Sequence, residues 1–301
     1  MNNPIFQICF AAILAWCFVA VILPCIRNNF LDNPNGRSSH TIPTPRGGGI
    51  AFVIIGTILN FIFTSGSSAW IPVMCLPLAL VGMIDDRYNV PAKYRYLCQV
   101  ITAILLLVFA KVSIPLWIIP LAIVAITALI NFMNFLDGMD GLLAGCSFLL
   151  MIALSKWSIA GAIFGFLLWN WSPAKVFMGD VGSTFIGAIF IGFALQEHSV
   201  GSSLAIVALA FPLYADALTC VIRRLLAGKN IFSAHRQHLY QRLNRSGWSH
   251  RQVASLYILG VSLLITAKFA GGMFLLLVVM LIELFIAIYL DSKVAFMFEN
   301  S

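Results

Sequence analysis

Asp85, Asp86, Asp137, Asp140 and Asp180 each stand at the edge of an apolar run long enough to cross a bilayer. A carboxylate held beside hydrocarbon is costly unless it is solvated, paired or bound to a cation, so these five are functional candidates from the outset. Their chemistry is that of hard oxygen donors, suited to a Mg²⁺ held by one or two carboxylates together with substrate phosphates. Asp85 and Asp86 are adjacent, and like charges repel unless a cation lies beside them. They also close an apolar helix, where carboxylates oppose the dipole, so a merely solvated helix end paired with Arg87 is a poor account. The segment Asn131–Gly141 is the densest signal: Asn131, Asn134, Asp137 and Asp140 recur every third residue and so line one side of a helix end. Its two Asp-Gly steps, ending in Gly138 and Gly141, let the backbone turn tightly near a ligand.

Three further segments complete the set. Asp180 precedes a new apolar run and, as a helix N-cap, would be ordinary. With Asn170 and Lys175 nearby it reads as a metal or phosphate residue. Arg46 leads into Gly47, Gly48 and Gly49, whose N–H groups at a helix start could face phosphate. The basic stretch 223–251 is suited to anionic headgroups, but its His235-Arg236-Gln237-His238 core is denser than that role needs and fits contacts to a phosphate-bearing substrate. Asp216, about two turns inside the preceding helix, is expected to pair with Arg223 or Arg224.

The positioning elements are helices in a membrane. Of 301 residues, 61% are hydrophobic and 10% charged, and the mean hydropathy is +0.97. Soluble domains carry about a quarter charged residues, so the expected class is an all-α polytopic integral membrane protein. Continuous rather than alternating apolar runs exclude a β-barrel. The first run, near 5–26, has neither a basic stretch before it nor a small-residue cleavage site after it and is expected to be a retained helix. Helices are expected near 5–26, 47–65, 68–84, 96–112, 114–134, 139–155, 157–171, 181–196, 202–222, 252–270 and 272–290, about eleven in one domain over 1–301. With that count the loops near 27–46, 85–95, 135–140, 172–180 and 223–251 share one side, which receives fifteen of the 18 Lys and Arg residues; only Lys111, Lys156 and Lys268 fall opposite. The rule that basic loops stay inside makes this side cytoplasmic, with the N-terminus outside and the C-terminus cytoplasmic. All five aspartates then share the cytoplasmic face. The net charge of +7 reports orientation, not nucleic acid binding. The seven cysteines are scattered without metal-ligand spacing and are read as small hydrophobes.

At these residues the chain resembles the polyprenyl-phosphate N-acetylhexosamine-1-phosphate transferase family. The resemblance runs from about residue 27 to 245 through five ordered motifs: Thr44-Pro45 with Gly47-Gly48, the Asp85-Asp86 pair, Asn134 through Asp137-Gly138-Met139-Asp140-Gly141-Leu142, Phe177-Met178-Gly179-Asp180 with Gly182-Ser183, and the histidine loop. It implies ten or eleven helices, a cytoplasmic active site in a bacterial inner membrane, Mg²⁺ or Mn²⁺, a UDP-sugar and polyprenyl phosphate. It implies Asp180 as metal ligand with Asp85 and Asp86 beside it, and a nucleotide pocket of Asn170, Asp137, Gly138, Asp140 and Phe177 supported by Asn134. Lys93 or Arg95 would contact phosphates, as would Arg46, His235 and Arg236. Where several members carry consecutive histidines, this chain reads His238-Leu239-Tyr240-Gln241, so only His238 matches. That pattern, with Arg37-Ser38-Ser39-His40, is similar to the subgroup that starts O-antigen chains with N-acetylfucosamine-like or related sugars, and weighs against a muramoyl-pentapeptide substrate.

The expected reaction is attack of a polyprenyl-phosphate oxygen on the β-phosphorus of a UDP-N-acetyl sugar, with release of UMP. Asp85 or Asp86 is the candidate base or covalent nucleophile and His238 the third catalytic candidate, although a largely ionised phosphate monoester hardly requires a base and direct attack is favoured. The rivals are an ion-coupled transporter, which would place its acids near the membrane midplane, and a polyprenyl-lipid phosphatase. The expected partners are the UDP-sugar, polyprenyl phosphate and the bilayer, with a homodimer carried as one oligomeric state.

Overall fold

The computed structural model describes residues 3–34, 42–112, 114–230, 233 and 235–298; the Arg37–His40 segment lies outside them. Among the described residues there are twelve α-helices: α1 Pro4–Asn29, α2 Ile50–Phe63, α3 Ile71–Tyr88, α4 Ala92–Phe109, α5 Ile119–Phe135, α6 Leu142–Ala153, α7 Trp157–Asn170, α8 Asp180–Ala194, α9 Val200–Ala208, α10 Phe211–Leu226, α11 Leu239–Arg245 and α12 His250–Lys293. A two-residue antiparallel pairing, Leu31–Asp32 with Thr44–Pro45, is the one sheet among the described residues. The protein is an all-α membrane protein, its outer helices studded with exposed Leu, Ile, Val and Phe.

All eleven expected segments are helical, with three differences. The run expected near 202–222 is broken into α9 and α10, bent by 83°. Pro212 stands at the start of α10, where its missing N–H costs nothing to the new helix but denies continuity to the old one. The basic loop contains the extra helix α11. The last two expected spans are the two limbs of α12: the backbone breaks at Gly272, whose φ of 61° is left-handed, and Gly260 before the break lies against Glu283 after it, so the limbs double back on one another. Among the described residues five helices are long and apolar enough to span a membrane, or six if the bent pair counts as one. The shorter α2, α6, α7 and α8 have 14, 12, 14 and 15 residues. At about 1.5 Å per residue they fall short of a hydrocarbon core of roughly 30 Å.

The centre of the bundle is α8, in which every residue after Asp180 is buried. Around it α3 and α5 pack antiparallel, so their C-terminal ends meet the start of α8. Small residues permit the closest approaches, as expected where lipid gives helices little hydrophobic reason to associate. Gly161 and Gly165, four apart on α7, lie directly against the α1 backbone at Ile8 and Ala12. On α3, a methyl at Gly82 would come within 2.5 Å of the Asp180 carbonyl group.

That contact yields a test. Gly82→Ala must push α3 from α8 and should cost about 1–3 kcal/mol, the range for overpacking a tight interior. Gly201→Ala, with its nearest neighbour atom 3.8 Å away, should be near neutral. Thermal unfolding of the two variants in detergent would show the contrast, and equal melting temperatures would contradict the packing described.

Candidate active site

The site grows from one helix start. Gly179 precedes α8 with φ of 75° and offers no capping side chain. The missing cap comes from α3: Asp86 accepts from the N–H of Asp180 at 3.1 Å and from that of Val181 at 3.3 Å. The carboxylate thereby meets two of the four N–H groups that a helix start leaves open, and its charge suits the positive end of the dipole. A side chain on Gly179 would collide with Asp86. Asp86 is 4% exposed, and the Arg46 guanidinium lies 3.9 Å from it.

The glycines after Arg46 do not form the phosphate cradle expected of them. The N–H groups of Gly48 and Gly49 donate at 2.9 Å to the carbonyls of Phe177 and Met178, and Phe177 N–H donates to Pro45. The two motifs are zipped together backbone to backbone. A methyl on Gly49 would meet Gly182 Cα at 2.6 Å, which accounts for glycine there.

Next to this cap, Arg95 bridges two carboxylates through one nitrogen: Nη1 lies 2.6 Å from Asp85 Oδ2 and 3.0 Å from Asp180 Oδ2. The other oxygen of Asp85 accepts from Val90 N–H at 2.6 Å, closing the turn between α3 and α4. Arg87 instead lies over the rings of Phe30 and Tyr88. Asp137, just past α5, is close to Asp180 and Asp86. Burial and then these two neighbours push its carboxyl well above the ordinary range, against a hydrogen bond from Gly179 N–H. Four carboxylates therefore face the two guanidiniums of Arg46 and Arg95. An all-oxygen donor set with surplus negative charge fits a hard divalent cation, with Asp180 and Asp85 as the most accessible donors. Asp86 spends both oxygens on the α8 amides and acts here through position.

The Asn-Asp-Gly motif divides. Asn134 accepts from Ser183 Oγ at 2.6 Å, tying α5 to α8. Asn131 and Gln99 form a reciprocal buried amide pair, at 2.6 and 3.2 Å. Asp140 turns away from the other acids: it lies 3.1 Å from His250 Nδ1 and accepts from Ala174 N–H at 3.2 Å. Burial raises its carboxyl, but His250 and these donors outweigh that and hold it below the usual range. Asn170, 3% exposed, accepts from Gly141 N–H and donates to the Val176 carbonyl, both at 3.0 Å. It staples two loops. Gly138 is exposed and abuts the Tyr240 hydroxyl, which donates to the Phe135 carbonyl at 2.9 Å. Lys93 and Lys175 are exposed and lie over Tyr94 and Trp169.

The histidine loop is organised by Asp216, which does not pair with Arg223 or Arg224 as expected. It accepts from Leu239 and Tyr240 N–H at 2.7 and 3.1 Å and from Tyr257 Oη at 2.6 Å, and lies 3.5 Å from His238 Nδ1. Thus α10 caps α11 just as α3 caps α8. Arg223 and Arg242 take Asp291 near the end of α12, while Arg224 takes Gln237, Ser233 and the Asn230 carbonyl. The chain after α12 folds over this loop: Arg242 donates to the Phe296 carbonyl, and Arg223, Lys229 and Arg242 surround the Phe298 ring at 5.5–5.7 Å. Burial alone would lower the His238 pKa, but Asp216, with Cys220 adding to it, holds it up at about 9. His235 is pushed down to about 4 by burial and by the charges of His238, Arg224 and Lys229. Arg236 is half-buried beside them.

One cavity of about 290 Å³ joins these parts: Arg95, Asp180, Asn134 and Asn131 line it together with His235, His238 and Gln241 of the histidine loop. Gln99 and Tyr96 also line it, residues that carried no signal in the sequence because each stands alone in its segment.

This end of the bundle is a polar pocket at helix termini, lined by carboxylate, guanidinium, amide and imidazole groups. The profile of glycosyl transferase family 4 matches residues 68–198. The chain is 31% identical to the undecaprenyl-phosphate alpha-N-acetylglucosaminyl 1-phosphate transferase of Salmonella typhi over 81% of this chain and 78% of that protein. It is 28% identical to the decaprenyl-phosphate N-acetylglucosaminephosphotransferase of Mycobacterium tuberculosis, over 76% and 72%. A Thermotoga maritima undecaprenyl-phosphate alpha-N-acetylglucosaminyl 1-phosphate transferase is 28% identical over 73% and 74%. The chain belongs to the polyprenyl-phosphate N-acetylhexosamine-1-phosphate transferase family and is a sugar-phosphate transferase.

The His238–Asp216 pair sets a pH dependence. A histidine raised from 6.5 to about 9 on folding stabilises the fold fully below pH 6.5 and loses that contribution as pH rises through about 9. The loss is on the order of 3 kcal/mol. The melting temperature of the wild type should therefore fall between pH 6.5 and 9 more steeply than that of Asp216→Asn. Parallel profiles would show that the pair does not carry this charge.

Proposed function

We propose that the protein transfers an N-acetylhexosamine 1-phosphate, or a deoxyhexosamine counterpart, from a UDP-sugar to polyprenyl phosphate and so initiates a cell-surface polysaccharide such as O-antigen. The observation that carries this reading is the shared cavity: it is lined both by Asp180 and Arg95, the latter paired with Asp85, and by His235 and His238, at helix ends. A lipid-borne phosphate at the headgroup layer and a water-soluble diphosphate can both reach such a place. The relatives are named for N-acetylglucosamine, so UDP-N-acetylglucosamine is the first donor to try. The fifteen-to-three distribution of basic residues supports a bacterial inner-membrane protein whose site faces the cytoplasm.

In this reaction an oxygen of polyprenyl phosphate attacks the β-phosphorus of the donor. The bond from that phosphorus to the bridging oxygen breaks, and UMP leaves with the electron pair. Asp180 and Asp85 would hold Mg²⁺ or Mn²⁺, which supplies neutralisation of the diphosphate and of the charge on the departing UMP. Arg95 adds a fixed positive charge beside them, with Arg46 and Lys93 as outer phosphate contacts. Asp86 keeps Asp180 at the start of α8. Asn134, Asp137, Gly138 and Phe177 border the nucleotide, while Asn170 and Asp140 hold the loops that carry them. His238, kept cationic by Asp216, and His235 with Arg236 face the acceptor phosphate. Since that phosphate is already ionised, no side chain need remove a proton, and attack is direct.

The test is UMP release by purified protein supplied with UDP-sugars, polyprenyl phosphate and Mg²⁺. Release requires both substrates, and its absence from every donor with folded protein would refute the proposal. Asp180→Asn should lower turnover by roughly 10²-fold or more, the scale of losing a group that stabilises developing charge. Its melting temperature should stay close to wild type. Undiminished turnover would remove Asp180 from the metal site.

A further inference from the structure

One cluster joins the two histidines of the cavity to a thiol that the phosphate chemistry does not use. Cys220 on α10 lies beside His235 and His238, and one ligand atom from each falls within 4.8 Å of the others. Cys220 and His238 are 3% and 4% exposed, and His235 is half-buried. Thiolate and imidazole are donors preferred by Zn²⁺, whereas the carboxylates suit Mg²⁺. The two ion types would therefore sort themselves between the two donor sets.

A second observation points the same way. His238 Nδ1 is shut off from solvent, makes no hydrogen bond of normal geometry, and stands 3.5 Å from Asp216 Oδ1. A carboxylate beside an imidazole is how metal-bound histidines are commonly oriented. Asp216 is itself fixed by two backbone N–H groups and the Tyr257 hydroxyl. The His235 and His238 ring centroids are 5.1 Å apart, and both rings border the cavity that holds Asp180 and Arg95. Three protein ligands leave a fourth tetrahedral position, as in zinc sites that bind water or another small ligand.

We propose that Cys220, His235 and His238 form a Zn²⁺ site, separate from the carboxylate cluster, and that zinc bound there holds the enzyme inactive. Binding uses the Cys220 thiolate and neutral imidazoles, so the thiol proton and the proton on His238 pass to water. Metal–ligand bonds of about 2.0–2.3 Å draw the three side chains together. His235 and His238 are then withdrawn from the acceptor phosphate. The inhibitory half of the proposal rests on the transferase reading given above; the binding half does not.

Purified full-length protein in detergent, first stripped with a chelator, is loaded with ZnCl₂ in excess MgCl₂, dialysed and assayed for metal content. CoCl₂ replaces ZnCl₂ for absorption spectra. The expected result is one zinc per chain and a thiolate-to-cobalt charge-transfer band, both lost in Cys220→Ser and, as a second variant, in His235→Ala. Asp216→Asn should weaken zinc binding by about 10–100-fold, as loss of an orienting partner does. In Mg²⁺ alone Cys220→Ser should turn over like the wild type, and added zinc should suppress only the wild type. Zinc retained by both variants, or no cobalt–thiolate band, would overturn the site. Equal inhibition of wild type and Cys220→Ser would place zinc on the aspartates and overturn the switch. A protein that binds zinc through Cys220 yet releases no UMP would leave the metal site standing and defeat the transferase reading alone.

Discussion

Everything at the polar end of this bundle depends on helices that begin in protein and not in water. A helix start exposes unpaired N–H groups and half a positive charge, and burying it unsatisfied is expensive. In α8 the residue before the first turn is a glycine that cannot cap, so Asp86 reaches across from α3. In α11 the same need is met by Asp216 from α10. Each carboxylate is thus committed to two amides and fixes where its partner helix starts. For α8 that start is Asp180, whose carboxylate is brought within reach of Arg95. For α11 it is Leu239, with His238 as the residue just before it.

The second organising constraint is pairing of charge. Buried ions are tolerated only with partners, and losing one partner leaves the other stranded. Arg95 shared by Asp85 and Asp180, and Asp291 shared by Arg223 and Arg242, are two such assemblies of opposite sign. The first keeps a surplus of carboxylate, the second a surplus of guanidinium. The first borders the cavity that the histidine loop closes, whereas the second borders a separate cavity between α10 and α12 and anchors the loop from behind. Neutral amides, Gln99 with Asn131, also line the first cavity without adding charge.

Much of this was legible in order of residues alone. Apolar runs located the helices, and parity placed Asp85, Asp86, Asp137 and Asp180 at one end, where the structure brings them together. The same reading put Asp140 with them, but it bonds His250, more than a hundred residues later, because α12 packs on α6. It matched Asp216 to Arg223 or Arg224 by nearness in sequence. Arg223 instead finds Asp291, 68 residues on, and leaves Asp216 to the histidines. The glycines after Arg46 looked like a phosphate cradle because a glycine's openness to a ligand and its openness to another backbone are indistinguishable without the partner strand. The approach of Cys220 to His235 and His238 left no mark in the sequence, because spacing within one segment is readable whereas side chains split between a helix and a loop are not. The break between α9 and α10 did leave a mark, in Phe211-Pro212, inside an otherwise unbroken apolar run.

The bonds from Arg242 to Asp291 and to the Phe296 carbonyl span 49 and 54 residues of sequence. A ribosome delivers a chain in order, so the histidine loop emerges well before the groups that hold it. Until both limbs of α12 have entered the membrane, Arg223 and Arg242 lack their carboxylate and the Phe298 ring is absent from among its cations. The acidic cluster, complete once α8 is inserted, must wait in the bilayer for its basic counterpart. Assembly of this pocket is therefore a late event in biogenesis, timed by the last hydrophobic hairpin to leave the translocation machinery.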